Sequence, residues 1–295
     1  MTQFLQLLFQ GFALGCVYAL VALGFTVIYR ASQVINFAQG GMLLIGAYLV
    51  SVLAVGVKLP FVVAAIVAII LLAGGGVLFQ MLVLRRVIGQ PVFVLVMITI
   101  GASIAIDAAI PAIFGGNPRV LGDPWGSSAA RVGGVTLAWV QIWSIGATVV
   151  ILALFFAFDR FSRYGLAMRA TAADEEAAAA VGVPVRRVYA VAWAIAGGVA
   201  AVGGLFLAGY PNSPNPSLGN VALNAFPAII LGGLESPPGA VIGGIVIGIV
   251  EVLTSGYAPS SLGANFADVA PYILMIVVLL IRPYGLFGAR PVERI

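Results

Sequence analysis

Long apolar runs separated by short polar segments make up most of this chain. Seven runs, at about residues 4–29, 33–55, 60–84, 91–114, 137–158, 188–209 and 267–282, are interpreted as membrane spans. A helix needs roughly 20 apolar residues to cross the hydrocarbon core of a bilayer. With the interrupted runs described next, the pattern predicts an all-α membrane protein. We expect a polytopic bundle of about eight or nine transmembrane segments, forming a single domain over residues 1–295.

Two interruptions of the apolar pattern predict broken helices. The apolar runs 222–233 and 239–253 are short, and residues 234–238 between them contain Glu235 and two prolines, which is typical of a broken or re-entrant hairpin. The second interruption, residues 32–41, contains Asn36, Gln39 and Gly40. Backbone that leaves the helical path at membrane depth must be buried in protein or line water. Corresponding interruptions in two halves of a transporter indicate a substrate path near the midplane, although internal similarity here is weak.

The distribution of charge predicts the orientation of the chain. Hydrophobic residues make up 62% of the sequence and charged residues only 8%. Alternating spans place 11 of the 14 basic residues on one side and only Lys58, Arg119 and Arg131 on the other. Cytoplasmic loops carry the excess of Lys and Arg. We therefore expect the amino terminus outside and the carboxyl terminus inside, with no role in nucleic-acid binding. The first apolar run is expected to be retained as a span.

Several kinds of chemistry are excluded by composition. The chain has no histidine and one cysteine, Cys16, so histidine-based catalysis and a multi-cysteine metal site are excluded. Its one lysine, Lys58, is not part of a phosphate-binding loop, so another chain must hydrolyse any ATP that is used. We expect neither an enzyme nor a metal site. Among the acidic residues, Glu235, Glu251 and Asp268 lie near predicted turns, which leaves Asp107 as the intramembrane candidate for the transport pathway. Local hydrogen bonding is its alternative role.

The one long hydrophilic stretch, residues 159–187, predicts an exposed helix. Thr171 and Asp174 fit a capping box, so a helix is expected to start at Thr171. Glu175 and Glu176 suit the positive end of its dipole, Ala177 and Ala178 favour helix, and Gly182 followed by Pro184 ends it. With Arg163, Arg169, Arg186 and Arg187 around it, this helix is interpreted as the contact with a soluble partner. The alternative is a solvated connector between two spans.

Several segments, in this order, resemble the permease subunit of ABC importers for branched-chain amino acids, the LivH type. They are residues 11–24 (GFALGCVYALVALG), 34–41 (VINFAQGG), 169–171 (RAT) leading into 176–178 (EAA), 225–234 (AFPAIILGGL), 237–240 (PPGA) and 282–288 (RPYGLFG). The resemblance covers nearly the whole length. It differs at Gln39, where many relatives have histidine, and in lacking the Leu-Pro that follows the coupling pattern of other importers.

The resemblance implies partners and roles for particular residues. We expect a second, homologous permease that forms a heterodimer with this chain, two cytoplasmic ATP-binding subunits, and a periplasmic substrate-binding protein. Periplasmic loops are expected at about 115–136, interpreted as a docking surface, and at about 210–221, interpreted as an outer cap, and a plain connection is the alternative role of each. No cofactor is expected in this chain, since ATP and Mg would be bound by the ATPases. The permease would lie in the bacterial inner membrane. Its cytoplasmic loop, about 159–187, would couple the ATPases to the membrane spans through the residues Arg169, Thr171, Asp174, Glu175, Glu176, Ala177, Ala178 and Gly182.

The substrate is predicted less directly. Branched-chain or other hydrophobic amino acids are implied by the resemblance, and related permeases carry urea, short amides or aromatic acids. We hypothesise that Asn36, Gln39 and Asn224 offer neutral hydrogen bonds to an amphipathic substrate in an apolar passage that also includes Gly40. Satisfying the broken backbone is the alternative role of these amides. A sugar permease of the ribose type shares the architecture, and a secondary transporter or channel without ATPases is the rival from another class.

Overall fold

The computed structural model describes residues 2–87, 90–209, 211–259, 261, 263 and 266–288. Within these ranges the chain forms twelve α-helices and one two-stranded sheet. The first six helices and the two strands are α1 (Thr2–Ser32), α2 (Gln39–Ser51), α3 (Phe61–Leu82), α4 (Val92–Phe114), β1 (Ala129–Val132), β2 (Val135–Ala138), α5 (Trp139–Phe161) and α6 (Arg163–Ala173). The remaining helices are α7 (Glu175–Ala180), α8 (Val185–Leu207), α9 (Val221–Asn224), α10 (Phe226–Gly232), α11 (Pro237–Tyr257) and α12 (Phe266–Ile281).

Seven helical segments of the described chain are long and apolar enough to cross a membrane. They are α1, α2 with its π-helical continuation Val52–Gly56, α3 with the 3₁₀ turn Leu84–Val87, α4, α5, α8 and α11. Two shorter apolar stretches, Pro216–Gly232 and Phe266–Ile281, accompany them. The predicted all-α membrane bundle is therefore confirmed, and the expected count of eight or nine is consistent with seven long and two shorter segments.

The helix α1 forms the centre of the bundle. In its most apolar 18-residue window, 89% of the residues are buried, compared with 11% for α4. Glycines on α1 bring its backbone against α11: a Cβ at Gly15 would lie 2.7 Å from the Cα of Ile245. Small residues allow such close approach between membrane helices. The same helix packs against α8 and α5, whereas α3 packs on α8 and α4 packs on α2.

A broken segment crosses the bundle after α8. It consists of a 3₁₀ turn, Pro216–Asn220, followed by α9 and α10. Just before it, the carbonyl oxygen of Pro214 accepts a hydrogen bond from Arg119, in the loop that carries the hairpin. At its other end, Leu231 and Gly232 accept hydrogen bonds from residues that follow α12. The sequence predicted a broken or a re-entrant segment here, and the structure shows a broken one.

The helix α11 corrects the expectation that residues 239–253 barely reach across. It has 21 residues, because it begins at Pro237, with both prolines in its first turn, and continues past Leu253 to Tyr257. The Ser236 hydroxyl oxygen caps it by accepting a hydrogen bond from the Gly239 amide at 3.1 Å. Proline is favoured at the first position of a helix, where its missing N–H removes no intrahelical bond. The two prolines thus begin the helix rather than shorten it.

The bundle has two distinct ends. One, here called the hairpin end, carries the antiparallel pair β1 and β2, with Ala129 opposite Ala138. The other, here called the α7 end, carries α6, α7 and the first turn of α8. The predicted outer loop 115–136 thus contains a short β-hairpin, which the pattern of glycine and proline there did not indicate.

Candidate functional site

The helix α7 is the short exposed helix predicted from the hydrophilic stretch, but it begins later than expected. Thr171 lies inside α6, is buried, and its hydroxyl donates a hydrogen bond to the Ala167 carbonyl at 2.9 Å. The N-cap is Asp174, which has extended backbone and whose carboxylate accepts a hydrogen bond from the Ala177 amide at 2.9 Å. Predicting a start at Thr171 was wrong because the side chain of Asp174, not that of Thr171, receives the helix amide.

The predicted stop of this helix at Gly182 is confirmed. Gly182 has φ +89°, and its amide donates to the Ala179 carbonyl at 3.0 Å. The Val183 amide donates to the Ala178 carbonyl, also at 3.0 Å. These bonds satisfy carbonyls that a helix end leaves unpaired, in an arrangement that needs a left-handed residue. Ala178 is buried toward the bundle, whereas Ala177, Glu175 and Glu176 are exposed.

An ion-pair cluster anchors the neighbouring helix α6 to the bundle. Asp159, near the end of α5, lies 3.3 Å from Arg30 of α1 and 3.3 Å from Arg169 of α6. Arg169 also donates to the Asp159 backbone carbonyl. One carboxylate therefore ties three helices together beside α7. Sequence reasoning singled out Arg169 but missed Arg30 and Asp159, since no pattern links positions so far apart along the chain.

The surface around α7 exposes large apolar side chains. Phe161 and Val181 are each 81% exposed, and Leu166 is 63% exposed. Exposed apolar residues grouped beside charged ones are typical of protein contact surfaces. Nine of the twelve basic residues of the described chain lie at this end too; they are Arg30, Arg85, Arg86, Arg160, Arg163, Arg169, Arg186, Arg187 and Arg282. The α7 end therefore combines exposed apolar side chains with most of the described basic residues.

The interrupted segment between α1 and α2 is held by buried side chains. Asn36 and Gln39 are fully buried, and the Asn36 side-chain amide donates to the Gln39 side-chain oxygen at 3.1 Å. The Asn36 oxygen in turn accepts from the Ala38 amide, and Gln39 donates to the Ala196 carbonyl of α8 at 3.3 Å. The bond to Ala38 supplies a partner for backbone that has left the helical path, and the bond to Ala196 ties the break to α8.

Thr99 of α4 is a further residue of this region that sequence reasoning missed. It is fully buried, and its hydroxyl oxygen accepts a hydrogen bond from the Phe37 amide at 3.3 Å. The same hydroxyl lies 2.9 Å from the Val96 carbonyl, to which it donates. Thr99 thereby fastens the break to α4. A threonine inside an apolar run gives no signal of this role from sequence alone.

A cavity of about 170 Å³ lies beside the break and contains two of the predicted pathway residues. Gly40 and Asp107 line it, together with Gly219 and Asn220 of the broken segment. Asp107 is exposed on the outer face of α4, a helix that is mostly uncovered by the rest of the chain. Asn224 ends α9 and does not line this cavity. The structure thus brings Asn36, Gln39 and Gly40 together, places Asp107 beside them, and leaves Asn224 apart.

Glu251 is paired within the bundle, contrary to the expectation that it lies near a turn with access to water. Tyr18, which is 1% exposed, donates its hydroxyl between the two carboxylate oxygens of Glu251, at 2.9 and 3.0 Å. The expectation was wrong because α11 continues to Tyr257, so Glu251 stays on the helix and against α1. The pair joins the two most closely packed helices of the bundle.

Replacing Tyr18 by Phe is expected to destabilise the protein, because it leaves a half-buried carboxylate without its donor. The loss should be about 1–3 kcal/mol, seen as a lower apparent unfolding temperature of the purified protein in detergent. A double variant, Tyr18→Phe with Glu251→Gln, should recover part of the loss. Equal unfolding temperatures for the wild-type and Tyr18→Phe proteins would show that the pair contributes nothing.

Comparison with known proteins identifies the family. Residues 7–279 match the family model described as "Branched-chain amino acid transport system / permease component". The chain belongs to this permease family. It is 33% identical to the high-affinity branched-chain amino acid transport system permease protein LivH of Escherichia coli (strain K12), over 99% of this chain and 98% of that protein.

Two further relatives are also named as branched-chain amino acid transport permease proteins. The permease is 30% identical to the protein BraD of Pseudomonas aeruginosa, over 99% of this chain and 98% of that one. It is 31% identical to a probable LivH of Methanocaldococcus jannaschii, over 91% of this chain and 88% of that one. Among solved structures, PsaBC from Streptococcus pneumoniae in complex with Fab has a TM-score of 0.49 and 14% identity, covering 96% of this chain and 94% of that chain. As a permease component of an ABC transporter, the chain is not itself an enzyme.

Proposed function

We propose that this permease is the transmembrane subunit of an ATP-driven importer that moves branched-chain or other hydrophobic amino acids into the cytoplasm. The observation that carries the proposal is the match to the permease family over residues 7–279, with relatives named for branched-chain amino acid transport. Residues 1–295 would form one permease domain. Urea, short amides and aromatic acids remain the alternative cargoes within the same family.

The geometry of α7 supports a coupling role. Its capped start at Asp174 and left-handed end at Gly182 make it a rigid unit, and the Asp159 cluster fixes α6 beside it. We propose that two ATP-binding subunits, which hold the ATP and Mg, dock here and on a second, homologous permease. Closure of the ATPases would move α7 and favour an outward-open state that receives substrate from a periplasmic binding protein. Hydrolysis would then reset the inward-facing state.

The clustering of basic residues supports the orientation that we propose. Nine of the twelve described basic residues lie at the α7 end, and Lys58, Arg119 and Arg131 lie at the hairpin end. By the positive-inside rule the α7 end faces the cytoplasm of the bacterial inner membrane, which places the amino terminus outside. The hairpin loop and the residues that precede α9 would then face the periplasmic binding protein.

We propose that the substrate path runs past Gly40 and Asp107, where α4 and the broken segment face the second permease. A carboxylate on the exposed face of a spanning helix is costly against lipid, so Asp107 needs water or another subunit beside it. Asn36 and Gln39 would act on the path through the backbone that they hold, since both are buried and bonded within the chain. Weak polar contacts in an apolar passage suit release of an amphipathic substrate.

Replacing Asp107 by Leu tests this path. If Asp107 faces the path, leucine uptake per transporter should fall about tenfold with unchanged abundance in the membrane, because the wall of the passage loses its charge and gains apolar bulk. The matched control is Ala108→Leu, which adds similar bulk at the next exposed position of α4. Unchanged uptake together with higher thermal stability would place Asp107 against lipid and refute the path.

Affinity capture of this chain after gentle extraction, followed by mass spectrometry, tests the assembly. The proposal predicts two ATPases with phosphate-binding loops and a second permease in the captured complex. A secondary transporter or channel is the rival, and it predicts that the chain emerges alone or only with copies of itself, even after crosslinking.

A further inference from the structure

A second and larger cavity lies behind α7. Its volume is about 810 Å³, within the range of small-molecule sites, and it is separate from the cavity that contains Asp107. Its walls come from the last turn of α1, the end of α3, the start of α4, the α6–α7 corner, α8 and the turn before α11. The cavity therefore lies between α7 and the membrane bundle, where a bound molecule would contact both.

The charged side chains that line this cavity are all acidic. Four carboxylates line it, those of Asp174, Glu175, Glu176 and Glu235, and none of the described residues that line it is basic. Asp174 is already engaged as the N-cap of α7, whereas Glu235 lies in the exposed turn before α11. A cleft lined by one sign of charge attracts ligands of the opposite sign. The cavity therefore selects a cationic group.

An independent observation indicates a ligand. Gln80 lines the cavity, is only 2% exposed, and its side-chain nitrogen has no hydrogen-bond partner in the described structure. A buried donor without a partner is unfavourable, and such groups are rare in folded proteins. A ligand with a hydrogen-bond acceptor would satisfy it. Trp193 and Leu84, both buried, provide an apolar surface on the same cavity.

We propose that this cavity binds a small organic ammonium compound that also carries a hydrogen-bond acceptor and an apolar group. The ammonium faces the carboxylates, the acceptor receives the Gln80 amide, and the apolar group packs on Trp193. Free amino acids with apolar side chains and amino alcohols share this chemistry. Because Glu175 and Glu176 belong to α7, while Gln80 and Trp193 belong to α3 and α8, the ligand holds α7 against the bundle. The site depends on this geometry and not on the proposed transport cycle.

Binding of radiolabelled leucinol tests the proposal. The purified permease, with the subunits that accompany it, is placed in lipid nanodiscs and studied by equilibrium dialysis. Saturable binding is expected, with affinity about tenfold weaker in Gln80→Leu and in Glu235→Gln. The matched controls at the hairpin end, Gln10→Leu and Asp268→Asn, should bind as the wild type does. The anion 4-methylpentanoate, which keeps the apolar group without the ammonium, should not compete.

Two further measurements sharpen the test. Amide hydrogen exchange across residues 175–182 should slow when leucinol is present in the wild-type protein and not in Glu235→Gln. Competition by leucine assigns the site to amino acids, and saturable leucinol binding that leucine does not displace assigns it to amino alcohols. Because Glu235 lies in an exposed turn, its variant tests the site even if Gln80→Leu fails to fold. No saturable leucinol binding, or binding that Glu235→Gln leaves unchanged, would overturn the proposal.

Discussion

In a permease carrying Gly182→Pro, amino-acid uptake per ATP hydrolysed is expected to fall sharply. Proline holds φ near −65°, whereas Gly182 has φ +89°, and proline also lacks the N–H that bonds to Ala179. The end of α7 would therefore be rebuilt. Coupling free energies between sites are about 1–3 kcal/mol, so losing this coupling should lower uptake per ATP by roughly 5- to 150-fold. Parallel assays of uptake and ATP hydrolysis in proteoliposomes measure the ratio.

The control for this variant is Gly182→Asn. Asparagine keeps the backbone N–H and tolerates a left-handed conformation better than most residues, so α7 should still end correctly. Nothing lies within 4 Å of a Cβ at this position, so the added side chain meets no obstruction within the chain. We expect near-normal coupling in Gly182→Asn. Normal uptake per ATP in Gly182→Pro would mean that the shape of α7 does not transmit the signal.

The variant Gly40→Val is expected to lose both transport and stability. A Cβ at Gly40 would lie 2.5 Å from the backbone oxygen of Gly219, so the start of α2 and the broken segment would be forced apart. Backbone cannot rotate away as a side chain can, and overpacking costs about 1–3 kcal/mol or more. Uptake should become undetectable and the apparent unfolding temperature should drop by several degrees, both measurable on the purified transporter.

A matched glycine separates this effect from a general effect of valine in a spanning helix. Gly74 of α3 has nothing within 4 Å of a Cβ, so Gly74→Val should leave uptake and thermal stability nearly unchanged. Because both positions lie in apolar helices, only the close approach of Gly40 to Gly219 distinguishes them. Equal losses in the two variants would contradict the account of the broken segment.

The spans and the breaks could be predicted from the sequence because each is a local property. A run of apolar residues marks a span wherever it occurs, and Gly182 ends α7 through its own backbone conformation. The start of α7 was predicted wrongly because the sequence pattern of Thr171 and Asp174 fits a capping box, whereas in the structure Thr171 lies inside α6. The length of α11 was underestimated because its first two residues are prolines, which resemble a helix break in sequence, and because it continues past Leu253 to Tyr257.

Contacts between distant residues could not be predicted in this way. Tyr18 and Glu251 are 233 positions apart, and Asp159 meets Arg30 across 129 positions. Which face of each helix turns inward depends on packing among apolar surfaces that look alike in sequence. For the same reason, the fully internal bonding of Asn36 and Gln39 became evident only from the fold, although both had been singled out for their position in a break.

Transport by the purified complex in proteoliposomes tests the central claim most directly. Labelled leucine is offered on the side of the hairpin end with the binding protein, and ATP on the side of the α7 end. The account predicts leucine accumulation against its gradient that requires ATP, the binding protein and the co-purified ATPases. Leucine flux that only runs down its gradient, at the same rate with and without ATP, would contradict it.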